Sequence, residues 1–280
     1  MRKNAYFDSI YFIVLDIKEE EKLAAKYKPE NKDKTETSSA LSFAGEGERG
    51  VEDEELLREL SEAGAHLAFS RSRRHPSVKE FVFGKKGRND VIDLEKTRVQ
   101  LASAEAFVEE CGRLGKKILF VGTKPEARMI LRECAERVDA PFMLTRWIGG
   151  LLSNFSEIKK RLARLEELST QKGSEAAEKY TKKEQGRFEK ELEDLLKKFE
   201  GVRALTAPPD VLFIVDPRYE VIACREATLM KIPLVALAGS DCDINGILYP
   251  VVANDGGVQS IRFFVGRIGS ALKRGREGKV

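Results

Sequence analysis

The stretch KKILFVGTK, residues 116–124, decides the fold class of this chain. Two lysines lead into a short, continuous apolar run, and a glycine, a threonine and a proline follow it closely. A strand that is apolar on both faces must be covered on both faces. Thr123 and Glu126 stand in capping-box spacing, with Pro125 in the first helical turn. The stretch therefore predicts a buried strand, a turn and a helix.

The same order recurs towards the C-terminus, in DVLFIVDPRYEVIACREATLMK (residues 210–231), IPLVALAGSD (232–241) and YPVVANDGGVQSIRFFVGRIGSALKR (249–274). Apolar strands that alternate with helices predict an α/β fold, with a parallel sheet, helices on both faces and right-handed crossovers. In the last repeat we expect Asn254 and Asp255 to cap the final helix.

Residues 1–50 are predicted to be an N-terminal extension. They contain one strand-like run, IYFIVLDI (10–17), and are otherwise rich in Lys, Glu, Ser, Thr and Gly. Such a composition buries too little apolar surface to order itself, so most of the extension is expected to be disordered. The apolar run is either an interaction segment or the mark of a start codon assigned too early, and the sequence leaves both open.

An amphipathic helix is expected to begin at Asp53. Its apolar positions recur at spacings of four, three and four, which places them on one face: Leu56, Leu60, Ala63 and Leu67. The helix is expected to end before Pro76, because proline cannot continue it. We assign residues 51–155 and 201–280 to the α/β core.

Residues 156–200 are predicted to form an inserted helical hairpin. Two narrow apolar seams run through a field of charged residues, at Ile158, Leu162 and Leu165 and then at Phe188, Leu192, Leu195 and Phe199. Heptad-like seams of this width are typical of an antiparallel coiled coil whose arms bury mainly each other. The alternative, two surface helices packed on the sheet, needs wider apolar stripes.

Composition excludes several classes of protein. The four cysteines contain no CxxC pair, so we expect free thiols in a reducing compartment. No apolar run reaches the ~20 residues that span a membrane and no leader pattern is present, which predicts a cytoplasmic protein. The two histidines stand near no recognised nucleophile motif, so neither a hydrolase nor a metalloenzyme is indicated.

The runner-up function is a nucleotide-binding α/β enzyme that uses the turn at Gly122. A glycine between a strand and a helix N-terminus is a place where phosphate can bind. This turn has one glycine where a dinucleotide loop needs three, so a plain capped helix is favoured.

A basic segment is the clearest electrostatic feature of the sequence. FSRSRRHPSVKEFVFGKKGRND, residues 69–90, interleaves phenylalanines with candidate RNA-binding residues. They are Arg71, Arg73, Arg74, His75, Lys79, Lys85, Lys86 and Arg88. Cations can bind phosphates and aromatic rings can stack on unpaired bases, so we predict an RNA-binding loop. The alternative is an ordinary solvated loop.

A second basic group flanks RWIGGLLSNF, residues 146–155, and runs along the first hairpin arm: Arg146, Lys159, Lys160, Arg161 and Arg164. Arg146, Lys159 and Lys160 are the candidate RNA-binding residues of this group. If four such cations neutralise phosphates, log K falls with log salt at a slope of about −3. Within the motif we expect Gly149 and Gly150 to let the chain turn into the hairpin, with Ser153 or Asn154 as the helix cap. Trp147 is expected to be a packing wedge at the hairpin base, with a base-stacking platform as the alternative.

These motifs resemble the universal small-subunit ribosomal protein S-two family in order and spacing, over roughly residues 53–275. The resemblance rests on GAHLAF, the basic segment, KILFVGTK, RWIGGLLSNF with the hairpin, PPDVLFIVD, EATLMKIPLVALAGSDCD and ANDGGVQSI. It implies a flavodoxin-like or Rossmann-like sheet with a protruding coiled-coil hairpin and a structural, non-catalytic role. It also implies contact with small-subunit ribosomal RNA where head and body meet, and neighbouring proteins that include the large mRNA-binding protein S-one.

The chain departs from the family pattern at one corner. His66 is retained, but Phe69 replaces a second histidine and Gly239 replaces an acid of the loop that contains Asp243. Relatives use this histidine and acidic corner to hold a metal and to help dock protein S-one. Zinc needs three or four ligands, and the two replacements leave the set short. We therefore predict no metal and no cofactor.

Overall fold

The computed structural model describes residues 46–171 and 181–278. Helix α1 spans Glu46–Glu62, so it begins inside the predicted extension and ends before Leu67, which lies in the first strand instead. The prediction of disorder for residues 1–45 lies outside the described residues. Within the described ranges, no helix is long and apolar enough to cross a membrane.

The central sheet has five parallel strands. They are β4 (Ile118–Val121), β5 (Phe142–Met143), β6 (Val211–Val215), β7 (Leu234–Ala238) and β8 (Tyr249–Val252), in the spatial order β5-β4-β6-β7-β8. Counted along the chain, these five strands follow the order 2-1-3-4-5, which is that of flavodoxin-like sheets. The fold class predicted from the sequence is confirmed, and β5 is the strand that the sequence did not reveal.

Helices cover both faces of this sheet. On one face α2 (Leu94–Arg113), α3 (Pro125–Arg137) and α7 (Val258–Glu277) enclose a core in which the rings of Phe120 and Phe213 meet edge to face. On the other face α6 (Val221–Leu229) contributes Ala223 and Ala227 to a second core. Strands β4, β6 and β7 are buried along their whole length, as continuous apolar runs require.

The basic segment folds as a small antiparallel sheet, so the prediction of a loop was wrong. Strands β1 (Leu67–Ser70), β2 (Val82–Lys86) and β3 (Asn89–Ile92) pair in the order β1-β3-β2, and two 3₁₀ turns connect β1 to β2. Gly87 has a φ of +64° in the two-residue turn between β2 and β3, a conformation that glycine adopts at no steric cost. Gly87, which favoured a loop in the sequence, therefore forms the turn of the β2–β3 β-hairpin.

Two helices occupy most of the predicted insertion, α4 (Phe155–Gln171) and α5 (Lys182–Phe199). Arg164 bridges them, because its Nε donates to Glu191 at 3.1 Å and its guanidinium lies 5.8 Å from the centre of the Phe188 ring. Leu165 and Leu192 belong to the same apolar core as the second face of the sheet. Residues 172–180 lie outside the described residues, so the coiled-coil hairpin itself stays a prediction.

Two predicted helix caps were wrong. Lys124 is the N-cap of α3, and Thr123 is instead hydrogen-bonded to a distant glutamate. Gly257 is the N-cap of α7, and the Asn254 side chain accepts from the backbone of Gly256 and Gly257 in the preceding turn. The side chains of Thr123 and Asn254 therefore stabilise the residues that precede each helix, and neither accepts a hydrogen bond from the first turn of its helix.

Candidate nucleic-acid interface

The small antiparallel sheet is fixed to the carboxyl edge of the parallel sheet. The backbone N–H of Phe69 donates to Ser240 Oγ at 3.1 Å, and that of His75 donates to the Ser240 carbonyl at 2.9 Å. Ser240 lies two residues beyond the end of β7. A further bond joins the Ile244 N–H to Ser77 Oγ at 3.2 Å. The cations of the small sheet are therefore held on a rigid support.

Most of the predicted RNA-binding residues of this segment are exposed. Five of them form no ion pair with any residue in the described ranges: Arg71, Lys79, Lys85, Lys86 and Arg88. The side chain of Phe83, on the β2 strand, is 80% exposed. Cations without partners beside an exposed aromatic ring can bind phosphate and stack on a base without first breaking protein contacts.

Arg73, Arg74 and His75 have protein partners. Arg73 donates to Asp241 at 2.9 Å and lies 4.4 Å from the centre of the Phe69 ring. Arg74 pairs with the buried carboxylate of Asp90 at 3.5 Å. His75 Nδ1 lies 2.8 Å from Ser77 Oγ and caps the second 3₁₀ turn. Arg73 therefore joins the small sheet to the loop after β7, while Arg74 and His75 make contacts within the segment of residues 67–92. The contact of these three side chains with RNA stays a prediction.

The second basic group begins at the same edge of the parallel sheet. Arg146 follows β5, which lies three strand spacings from β7, or about 14 Å. Arg146 and Lys159 are exposed and make no ion pair within the described chain, whereas Lys160 pairs with Glu157 at 2.6 Å one turn away on α4. The two basic groups therefore begin at the same carboxyl edge of the parallel sheet, about 14 Å apart.

The motif RWIGGLLSNF is clamped by a glutamate that the sequence did not single out. The Glu226 carboxylate accepts from Trp147 Nε1 at 2.8 Å, from the backbone N–H groups of Leu152 at 3.0 Å and Ser153 at 2.9 Å, and from Ser153 Oγ at 2.8 Å. Trp147 is only 6% exposed. Gly150 has a φ of +89°, while Gly149 stands in open space. Trp147 is therefore buried and bonded to α6 through Glu226, and its role as a packing wedge stays a prediction.

The environment of Glu226 keeps it ionised. Burial on its own would raise the pKa of the carboxyl, but the bonds from Ser153, Trp147 and Leu152 outweigh it, and the pKa is lowered. A signal for this residue was present in the sequence. Glu226 stands between Ala223 and Ala227 on the apolar face of a helix, where a carboxylate needs partners.

The turn at Gly122 is already filled by the protein. Both the N–H and the hydroxyl of Thr123 donate to Glu220 Oε1, at 2.7 and 2.6 Å, so a carboxylate occupies the donors that a phosphate would need. Lys124 donates to Asp216 at 3.0 Å beside them. A Cβ on Gly122 would lie 2.3 Å from Leu131 Cδ1, so this glycine serves close packing of α3 on the sheet.

The residues at the His66 corner do not fit a metal. His66 Nδ1 is buried without a hydrogen-bond partner, and Phe69 and Gly239 offer no side-chain ligand. Asp243 lies near His75, with its Oδ1 3.7 Å from Nδ1. In the described ranges the one group of three potential ligands with atoms within 4.8 Å of one another is Asp216, Cys242 and Asp255, and it includes neither His66 nor Asp243.

Comparison with known proteins decides the family. A family model described as Ribosomal protein S2 matches residues 60–275. The chain belongs to the ribosomal protein S2 family. Similar relatives are named small ribosomal subunit protein uS2: that of Dictyoglomus thermophilum is 39% identical over 222 residues, covering 79% of this chain and 90% of the relative. That of Thermus thermophilus is 40% identical over 224 residues, covering 80% and 88%.

Membership of the ribosomal protein S2 family confirms the resemblance found in the sequence. The family model ends at residue 275, as expected, and begins at residue 60, where the resemblance was placed from about residue 53. It also confirms that the chain is a structural, non-enzymatic protein of the small ribosomal subunit. The alternative of a nucleotide-binding enzyme is wrong, and the filled turn at Gly122 gives the physical reason.

Proposed function

We propose that this protein binds small-subunit ribosomal RNA through the exposed cations of residues 71–88, which lie on the small antiparallel sheet and its turns, together with the base of α4. One observation carries the proposal: five cations of residues 71–88 are exposed and have no ion-pair partner in the described chain. Arg146 and Lys159 extend the set. When protein cations neutralise phosphates, the counterions condensed on the RNA are released, so binding weakens as the salt concentration rises. Contacts of this kind are made to the RNA backbone and not to its bases.

Neighbouring small-subunit proteins, among them protein S-one, are the other proposed partners, and the protein acts in the cytoplasm while bound to the ribosome. No metal takes part in the proposed contact with S-one, because Phe69 and Gly239 remove ligands from the corner that relatives use. The role is to position RNA and protein, and no catalytic group is required.

The test measures the salt dependence of binding to purified small-subunit ribosomal RNA. The variant carries Lys85→Ala, Lys86→Ala and Arg88→Ala in the full-length chain. Each phosphate contact contributes about 0.7–0.9 to the slope of log K against log salt, so three should reduce its magnitude by about 2–3.

The control variant also removes three positive charges, but from exposed cations that form ion pairs with glutamates of the same chain. Arg113 pairs with Glu110, Arg262 with Glu133 and Lys273 with Glu277. Alanine at these three positions should leave the slope within experimental error of the wild-type value. Equal slopes for wild type and the Lys85, Lys86 and Arg88 variant would refute the assignment of this face to RNA.

A further inference from the structure

A groove of about 970 Å³ lies between the turn of residues 72–76 and the outer face of α6. We call it the α6 groove. Val221, Arg225 and Leu229 line it at a spacing of four residues, so they form one row along the helix. Leu229 is 80% exposed and Val221 is 41% exposed. The row is open to a partner along its whole length of about 12 Å.

The apolar surface continues beyond this row. Ile222 on the same helix is 56% exposed, and two residues that flank the helix, Tyr219 before it and Met230 after it, are 56% and 45% exposed. Ile222 and Leu229 are seven residues apart and share a helix face. Exposed apolar residues that are scattered singly need no explanation, but several on one short helix and at its two ends favour an interaction surface.

The rim of the α6 groove carries a surplus of positive charge. Arg73 and Arg218 both bind the single carboxylate of Asp241, whose side chain is 4% exposed. Arg225 is exposed and makes no ion pair with a described residue. The exposed acid of the lining, Asp243, lies against His75. An occupant with carboxylates would complete this arrangement, whereas a basic one would be repelled.

The lining favours protein over RNA. No phenylalanine, tyrosine or tryptophan is among the described residues that line the groove, and its apolar walls are aliphatic side chains and prolines. Base recognition uses aromatic or guanidinium planes. Of the four guanidinium groups in the lining, that of Arg73 lies on the Phe69 ring, and those of Arg74 and Arg218 are paired with Asp90 and Asp241. Only Arg225 among these four has no ion-pair partner in the described chain. Unpaired cations beside an exposed ring lie instead on the small sheet, near Phe83.

We propose that the α6 groove docks an amphipathic helical segment of a neighbouring small-subunit protein, with its apolar face on Val221 and Leu229 and acidic residues towards Arg218 and Arg225. This inference rests on the proposed function, since it requires assembly into the small subunit. A helix that docks in a groove presents apolar anchors at spacings of three, four and seven residues, and such a stripe can pack along Val221 and Leu229.

The experiment places a photoreactive residue in the groove of the full-length protein. Leu229→p-benzoylphenylalanine is introduced into the tagged chain in its own host, small subunits are isolated and irradiated, and the cross-linked partner is identified by mass spectrometry. The matched control is Val99→p-benzoylphenylalanine, at an apolar residue on α2 that is 53% exposed. Arg225→Glu is added to test the charge, with Arg262→Glu as its control.

We expect position 229 to cross-link to a protein segment in which Asp or Glu residues flank an apolar face. Arg225→Glu should lower the yield about fivefold, because reversing a rim charge removes one attraction and adds one repulsion, and Arg262→Glu should not. Cross-links to ribosomal RNA or to a second copy of this chain would overturn the proposal, as would a yield equal to that at position 99.

The two proposals fail in different ways. If the tagged chain sediments with small subunits but position 229 gives no cross-link above the control, the α6 groove proposal alone is wrong. If neither the wild type nor the Val99 variant sediments with small subunits, the proposed function is wrong and the groove proposal falls with it.

Discussion

Removing the carboxylate of Glu226 should loosen residues 147–153, which lead into α4, from α6. Glu226→Ala leaves four donor groups without their acceptor. Ser153 is exposed and can turn to water, but Trp147 and Leu152 are 6% and 2% exposed, so two buried N–H groups are left unpaired. At about 1–2 kcal/mol for each, we expect a loss of about 3 kcal/mol in the free energy of unfolding.

Glu226→Gln should lower the free energy of unfolding by less than Glu226→Ala does, because the amide oxygen still accepts one set of these bonds. Some loss remains, since the amide NH₂ group faces a donor where the carboxylate had a second acceptor. For a domain of this size, 1 kcal/mol corresponds to about 2–4 °C, so the alanine variant should melt about 6–12 °C lower. Glu193→Gln on α5 is the control. Glu193 is exposed and makes no hydrogen bond with a described residue, and its change should stay within about 0.5 kcal/mol.

Trp147 is the single tryptophan of the chain, so tryptophan fluorescence reports directly on the surroundings of Glu226. In Glu226→Ala its fluorescence should shift to the red and become more accessible to acrylamide, while the control stays unchanged. A Glu226→Ala protein that melts within 1 °C of wild type, with unchanged tryptophan emission, would refute the reasoning.

The pH dependence of this clamp has a definite sign. The folded-state pKa of Glu226 is below its ordinary value of 4.5, so the stabilisation is complete above that value and is lost as the pH falls through the folded-state pKa. The difference in stability between wild type and Glu226→Gln should therefore shrink as the pH falls below about 4.

Gly122→Ala should destabilise the fold by about 1–3 kcal/mol in urea unfolding, because its Cβ would press on the buried Leu131, while Gly186→Ala, in open space on α5, should stabilise it by about 0.5–1 kcal/mol. Equal effects at the two glycines would contradict the packing role of Gly122. Burial and the nearby charge of Asp216 raise the pKa of Asp255 to about 7, so this carboxyl stabilises the folded state at low pH and its contribution is lost as the pH rises to about 7. Asp255→Asn should gain melting temperature relative to wild type between pH 4 and pH 7, and a constant offset across that range would argue against the assignment.

Strands β4, β6 and β7 could be predicted because each is a run of apolar residues buried on both faces, as in KKILFVGTK. The edge strand β5 could not, since it contains only Phe142 and Met143 and a pair of residues carries no period. The basic segment was taken for a loop because glycines and a proline interrupt it. In the structure Gly87 makes the tight turn of a hairpin, which the same residues also favour.

The candidate site was predictable in its cations and not in their partners. Arg73 and Asp241 are 168 residues apart in sequence, and Trp147 and Glu226 are 79 apart, so only the tertiary fold brings each pair together. Nothing in the sequence distinguishes Arg73 and Arg74, which form ion pairs with aspartates, from Lys85 and Lys86, which form none within the described chain. Charge patterns show where cations are abundant, and only contacts show which of them are still available.

The carboxylate of Glu220 at the Gly122 turn has a thermodynamic consequence. In doubly wound proteins that bind a nucleotide at this switch point, ligand binding adds to stability by an amount that depends on ligand concentration. Here the occupant of the turn belongs to the same chain, so its effective concentration is constant. The stability that this turn contributes therefore does not depend on a bound nucleotide, which suits a component that must remain folded in an assembly.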